Sequence, residues 1–260
     1  NNLKSLDYSE GDVVHYTVFS GDNVTVISDE PVTSKTIEVD FHECRDPDNR
    51  NYKIVQIGDQ WWMAENLAYL PKLDSSVSDP LTEPYYYVYG YTGNNINEAK
   101  ATSNFKKYGV WYNWPAAMKA CPVGWHLPGD AEWAQLENYL ADNGYNYDET
   151  ISGGRDKIAK SLAASNYWDS STAIGAVGNN LSANNRSGFS GLPGGYCDYP
   201  TELCIYQGQF AGWWSSTERD QFTAWGRSLS YSEKSAGKLG FNFFKYVGTN
   251  IRCVKDENTP

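Results

Sequence analysis

The chain predicts an α+β fold of short helices, small antiparallel sheets and long irregular loops, preceded by a short β segment. Three observations predict it. β-rich runs at 13–27 and 52–63 are broken by turn residues. Two helix starts are compressed into residues 108–133, YGVWYNWPAAMKACPVGWHLPGDAEW. Residues 167–206 are rich in Gly, Ser, Asn and Pro, which is longer than ordinary connections run and marks a functional or irregular region.

Each element follows from local chemistry. Residues 13–19 and 24–27 flank the turn cluster Ser20-Gly21-Asp22-Asn23, and residues 36–41 alternate as a third strand. Three strands are too few for an independent core. Residues 1–44 therefore form an N-terminal β segment, either the tail of an upstream β domain or a small sheet packed on the main domain at 45–260. Residues 53–57 and 60–63 form a hairpin turning at Gly58-Asp59. Residues 85–91 read as an aromatic strand, and polar residues 94–107 as an insertion loop or short helix. Trp114 precedes an N1 proline, Pro115, and Pro122 stops that helix after Cys121. Asp130 stands at an N-cap position, Trp133, Leu136 and Leu140 make the apolar stripe, and Asn143-Gly144 offers a left-handed end. Ile158 and Leu162 lie one turn apart in a third helix at 157–164. Residues 212–216, 223–229, 242–246 and 250–254 are closing strands.

Composition narrows the function. Aromatics make up 15% of the chain, with 20 Tyr and 10 Trp, which suits binding surfaces as well as cores. A net charge of −11 with no basic run argues against nucleic acid or an anionic membrane as partner. No stretch is long and apolar enough to insert in a membrane as a helix. The first residue, Asn1, reads as the start of a processed or trimmed piece. Five cysteines, at 44, 121, 197, 204 and 253, are compatible with two disulfides and one leftover thiol.

Six stretches occur in a characteristic order: VQIGDQWWMAENL from Val55, YGVWYNWPAA from Tyr108, CPVGWHLP from Cys121, SGFSGLPGGY from Ser187, WWSSTE from Trp213 and IRCVKD from Ile251. Together they resemble a C-type lectin-like domain, and more specifically the Fibrobacter succinogenes major paralogous domain, a bacterial variant of that fold. The resemblance implies a disulfide between Cys121 and Cys253, tying the first helix to the last strand. Cys197 and Cys204 are expected to bridge a surface loop, leaving Cys44 without a partner in this chain. Paired cysteines imply an oxidising compartment, hence a secreted protein or one at the bacterial outer surface.

Chemistry was weighed against packing at each motif. Calcium-dependent lectins hold the ion with carboxylate and amide oxygens on a Glu-Pro-Asn or Gln-Pro-Asp loop and a Trp-Asn-Asp strand. Here the strand reads Trp214-Ser215-Ser216, and Glu83-Pro84 is followed by Tyr85 and lies far from the long loop, so no calcium cluster and no cofactor are expected. The formylglycine-generating enzymes share a related fold and use a copper-binding thiolate pair. Cys197 and Cys204 are spaced C-x6-C in lectin-like surroundings, which makes a disulfide the expectation and a copper oxidase the remote alternative. His126 reads as a hydrogen-bonded structural residue, His15 as a surface residue, and His42 with Cys44 as half a metal site with no second half. No phosphate loop, nucleophile elbow or HExxH is present, so the chain is not read as an enzyme.

What remains is a binding surface on the long loop and the late strands. The candidate ligand-binding residues are Trp168, Tyr196, Tyr199, Trp225, Arg227, Tyr231, Phe243, Phe244 and Tyr246. Aromatic faces stack on sugar C–H faces and Arg supplies planar donors, while the competing reading of each is core packing. Adjacent Phe243 and Phe244 point to opposite faces of a strand, so only one is expected outside. The expected function is a non-catalytic adhesin or glycan-binding module whose partner is a glycan or surface protein. The alternatives are a protein-binding assembly subunit, as at a pilus tip, and a retroelement-diversified ligand binder.

Overall fold

The computed structural model describes residues 8–9, 11–33, 35–73, 79–198, 203–240 and 243–257. Its largest sheet begins with β1 (Val14–Ser20) and β2 (Asn23–Asp29), an antiparallel hairpin in which Gly21 takes φ +60° at the turn. β2 then pairs in parallel with β3 (Lys53–Ile57), which turns at Gly58 into β4 (Gln60–Met63). The N-terminal hairpin thus shares a sheet with the rest of the chain. The alternating run at 36–41 does not form a strand. β2, the strand this run lies against, already has β1 on one edge and β3 on the other, so it offers the run no free edge and holds it instead through Thr25 Oγ1 donating to the Asp40 carbonyl at 2.8 Å.

The middle of the chain is built of short pieces. Of the aromatic run at 85–91 only β5 (Tyr86–Tyr87) is a strand, pairing with β6 (Trp111–Tyr112). Polar residues 94–107 carry two one-turn helices, α1 (Ile96–Ala101) capped by Asn95 and α2 (Ser103–Tyr108) capped by Thr102. The helix expected to run from Pro115 to Cys121 is shorter, α3 (Trp114–Ala117), and starts one residue earlier. Asn113 Oδ1 accepts from the Ala116 amide at 3.1 Å and supplies the cap. After β7 (Trp125–His126) comes α4 (Asp130–Asp142), whose N-cap is Gly129 rather than Asp130. The Gly129 amide donates to Glu132 Oε2 at 2.7 Å, and the Asp130 carboxylate is committed elsewhere. The third helix is a single turn, α5 (Ala159–Leu162).

The later chain adds β8 (Tyr196–Cys197) with β9 (Cys204–Ile205), then β10 (Phe210–Glu218), β11 (Ala224–Ser230) and β12 (Gly237–Leu239) as one antiparallel sheet. Of residues 242–246, the described part makes one bridge, Phe244 to Thr223. Only β13 (Val254–Lys255) of the last predicted strand is regular. It sits between β4 and β7, returning the end of the chain to the first sheet.

β10 separates two cores because adjacent side chains of a strand face opposite ways. Trp213 enters a cluster with Trp62, Trp133 and Phe189, whose ring centroids lie 4.7–6.4 Å apart. Trp214 enters the other cluster and packs on Phe243 at 4.2 Å. Both indole N–H groups are satisfied, by Asn66 Oδ1 at 3.1 Å and the Tyr112 carbonyl at 2.8 Å. Two disulfides close the frame, Cys121–Cys253 and Cys197–Cys204, and Cys44 is a buried free thiol whose pKa burial pushes up.

His126 clamps the C-terminal seam. Its Nε2 lies 2.7 Å from Glu132 Oε1 and its Nδ1 2.6 Å from Asp256 Oδ1. The Glu132 hydrogen bond, then that from Asp256, hold its pKa up at about 9 against partial burial. A group bound more tightly to its proton when folded stabilises fully below its unfolded value near 6.5. That contribution is lost as pH rises through 9. Stability measured by urea denaturation should therefore fall between pH 7 and 10 in the wild type and stay flatter in His126→Gln. Replacing Cys121 and Cys253 with Ser reopens a loop spanning 132 residues, and should cost roughly 2–5 kcal/mol in the same assay.

Candidate functional site

The nominated residues do not form one site. Trp168 is buried, its Nε1 donating to the Gly191 carbonyl at 3.2 Å, and it anchors the long loop instead of meeting solvent. Phe243 is buried against Trp214. Arg227 is only 3% exposed, with Nε 2.6 Å from Glu137 Oε1 and Nη1 2.8 Å from Asp130 Oδ1. Its guanidinium meets α4 at Glu137 and Asp130 because β11 turns this position inward. Tyr231 is half-buried against the Trp213 core, and its backbone bonds Gln209 and Gly178. Tyr199 lies outside the described residues.

Three nominated places keep an open face. Trp225 is half-buried, with Lys238 Nζ 4.3 Å and the Arg219 guanidinium 5.7 Å from its ring, and Gly240 leaves room for the indole that a Cβ would fill at 2.2 Å. Phe244 and Tyr246 stack with ring planes 6° apart, both half-buried, while Phe243 faces inward as expected of a neighbour. Tyr196 packs its ring on Tyr206 at 5.7 Å and edge-on to Phe210 at 5.8 Å.

The Tyr196 neighbourhood is the richest. Three distant segments meet there: α2, residues 167–169 and residues 204–209. Gln207 Nε2 donates to Asn104 Oδ1 at 3.1 Å, and Asn104 Nδ2 donates to the Tyr89 carbonyl at 3.0 Å. The Asp169 amide donates to the Gly208 carbonyl at 2.8 Å, and Lys107 Nζ sits 4.1 Å from the Tyr167 ring. Behind them Trp111 Nε1 donates to the Gly195 carbonyl at 3.3 Å. Gly195 is required: at φ +72° its backbone passes so close that a Cβ would lie 2.0 Å from the Ile205 carbonyl oxygen.

Two tyrosines stand out on this surface. Tyr167 and Tyr206 are each 51% exposed and each hold left-handed backbone, at φ 67° and 62°. A bulky residue is rarely found there, and such strain persists only where the surrounding structure enforces it. Tyr206 is enforced by its own turn, whose carbonyl accepts from Gln209 and Phe210 at 3.0 Å. Beside it lies a shallow depression of about 620 Å³ lined by Tyr89, Ile205, Tyr206, Gln207, Gln209 and the Cys204 edge of the disulfide. No lining side chain carries a charge. Rings with amide donors and acceptors suit a neutral polar ligand.

Sequence reasoning named Tyr196 here but missed Tyr206, Gln207, Gln209, Tyr167 and Tyr89. The signal available was YQGQ between a disulfide cysteine and a strand, aromatic and amide residues clustered on a turn. Among the described residues no group of three or more His, Cys, Asp and Glu side chains is placed to hold a metal ion, and no helix is long and apolar enough to cross a membrane.

Arg227 tests the reassignment directly. Arg227→Met leaves Glu137 buried and unpaired and should cost about 3–5 kcal/mol in urea denaturation. A variant as stable as wild type would contradict the structural role.

Comparison with known proteins gives one match. The family described as Fibrobacter succinogenes major domain matches residues 55–255. No curated protein and no solved structure matches.

Proposed function

The chain belongs to the Fibrobacter succinogenes major domain family, and we propose that it is a non-catalytic extracellular recognition module that binds a neutral glycan on the Tyr206 surface. The observation that carries this reading is exposed Tyr206, held in left-handed backbone and lining an uncharged, amide-lined depression. A backbone already fixed in this way loses little further entropy when its ring stacks on a ligand. The two disulfides support an oxidising, extracellular setting at or beyond the bacterial surface.

We also read the fold as C-type lectin-like. In support, Cys121–Cys253 ties the region after α3 to the last strand, β13 returns beside β4, and a long loop precedes a separate three-stranded sheet. A second reading, assembly with a protein partner, is favoured by β1. That strand is an outer strand of its sheet, its residues VHYTVFS carry no Lys, Glu or Pro, and Phe19 is 66% exposed. Natural edge strands usually carry such blocking residues.

A glycan array run in calcium and again in EDTA separates the readings. A hit that survives EDTA is expected, and Tyr206→Ala should weaken it at least tenfold, about 1.4 kcal/mol, with an unchanged unfolding midpoint. A blank array with folded protein would overturn the glycan reading in favour of assembly through β1.

A further inference from the structure

A second concavity lies on the opposite part of the sequence map. Its volume is about 970 Å³, at the upper end of the range of small-molecule sites, and it shares no lining residue with the Tyr206 depression. One wall comes from the N-terminal hairpin through Val14, His15 and Glu30, and the other from Tyr145, Tyr147 and the loop after Leu181. Lys160, Ser161, Asn146 and Asn184 also line it, and all four are more than nine-tenths buried.

The hydrogen bonds of these buried groups are lopsided. Lys160 Nζ donates to the carbonyls of Ala176, Asn179 and Asn180, so its three N–H bonds are all used. Arg186 is used too, on Glu30 and on the Gly144 carbonyl at 2.9 Å. Asn146 Nδ2 donates to the carbonyls of Thr150 and Ser152 at 2.7 and 3.0 Å, and Asn184 Nδ2 to those of Ala164 and Val177 at 3.1 Å. Yet Asn146 Oδ1 and Asn184 Oδ1 are buried with no hydrogen-bond partner. On these two side chains the amide donors are met and the Oδ1 acceptors are not, so a ligand that donates would complement them.

The loops bearing the two amides are also strained. Glu149 and Ser152 hold left-handed backbone without being glycine, and Asn180 and Asn185 hold it as a residue type that adopts it more readily. Such strain clusters at ligand clamps.

We propose that this cleft is a second binding site, for a small neutral polyhydroxylated molecule whose hydroxyls donate to Asn146 Oδ1 and Asn184 Oδ1. Neither oxygen is open to bulk solvent, so a small shift of the amides accompanies entry. The ring of the ligand rests against Tyr145 and Tyr147. A cationic ligand would meet the Lys160 ammonium. An anionic ligand would face Glu30, Glu149 and Asp12, with buried Lys160 and partly exposed Arg186 already committed.

The test is a titration of isotope-labelled full chain with glucose, galactose, mannose and N-acetylglucosamine, following the side-chain amide resonances of Asn146 and Asn184. At least one sugar is expected to shift both. Asn184→Leu would free two buried carbonyls and endanger folding, so the informative variant is Ala183→Trp, which fills the cleft from an exposed lining position. It should weaken the response at least tenfold, whereas Tyr206→Ala should leave it unchanged. No shift with any of the four sugars, or an undiminished response in folded Ala183→Trp, would overturn the site. Loss in Tyr206→Ala would overturn its independence from the first surface. A blank glycan array with intact shifts here would reject only the Tyr206 reading.

Discussion

Arg252 is the constraint on which the rest of the structure depends. It is wholly buried, yet its guanidinium reaches four residues in two distant segments of the chain. Nε donates to Asn66 Oδ1 at 2.8 Å, Nη1 to the carbonyls of Met63 and Phe189, and Nη2 to that of Ser190 at 3.0 Å. Burial pulls its pKa down to about 9, which still leaves it charged at neutral pH. A buried charge is tolerated only when its donors are met, so the end of β4, the long loop and the chain terminus are each tied to the same point. Asn66 extends the tie, accepting from Trp213 and donating to the Tyr108 carbonyl at 3.1 Å.

That hub explains how a domain with so little regular structure presents ordered surfaces. The helices are short and several strands are two residues long, so propensity contributes little to their stability. Order comes from tertiary fastening: indole N–H groups on carbonyls, asparagine caps, two disulfides and a buried ion pair at Arg227. The long loop is pinned by Trp168, Lys160 and Arg252 at three separate places. Strain at Tyr167 and Tyr206 is sustained by this fastening rather than by local preference.

The proposed recognition surface draws together residues that composition could not rank. The chain is rich in tyrosine and tryptophan, but most of its Trp side chains are buried, several of them as hydrogen-bonded parts of the two cores. Trp168 and Arg227 look like ligand contacts as residue types and are structural in fact, because an indole or guanidinium serves equally well to satisfy a buried carbonyl or carboxylate. Phe243 and Phe244 were separable by strand alternation alone, and they do face opposite ways. Tyr206 was not separable, since its exposure depends on the close passage of Gly195 beneath Ile205.

By itself the sequence determined the family, the mixed α+β character, the β3–β4 hairpin and the apolar stripe of α4, carried by local spacing or by motif order, and the family resemblance implied the Cys121–Cys253 disulfide. Only the tertiary structure decided the parallel docking of the N-terminal hairpin on β3, the loss of a strand at 36–41 and the N-cap of α4. It alone decided which rings face solvent. Each of these turns on competition for a partner far away in sequence. β2 has two edges and both are taken. Asp130 could have capped a helix but answers Arg227 and Lys238, 97 and 108 residues away. Local pattern states what a residue is able to bond, and the fold states which bond is available.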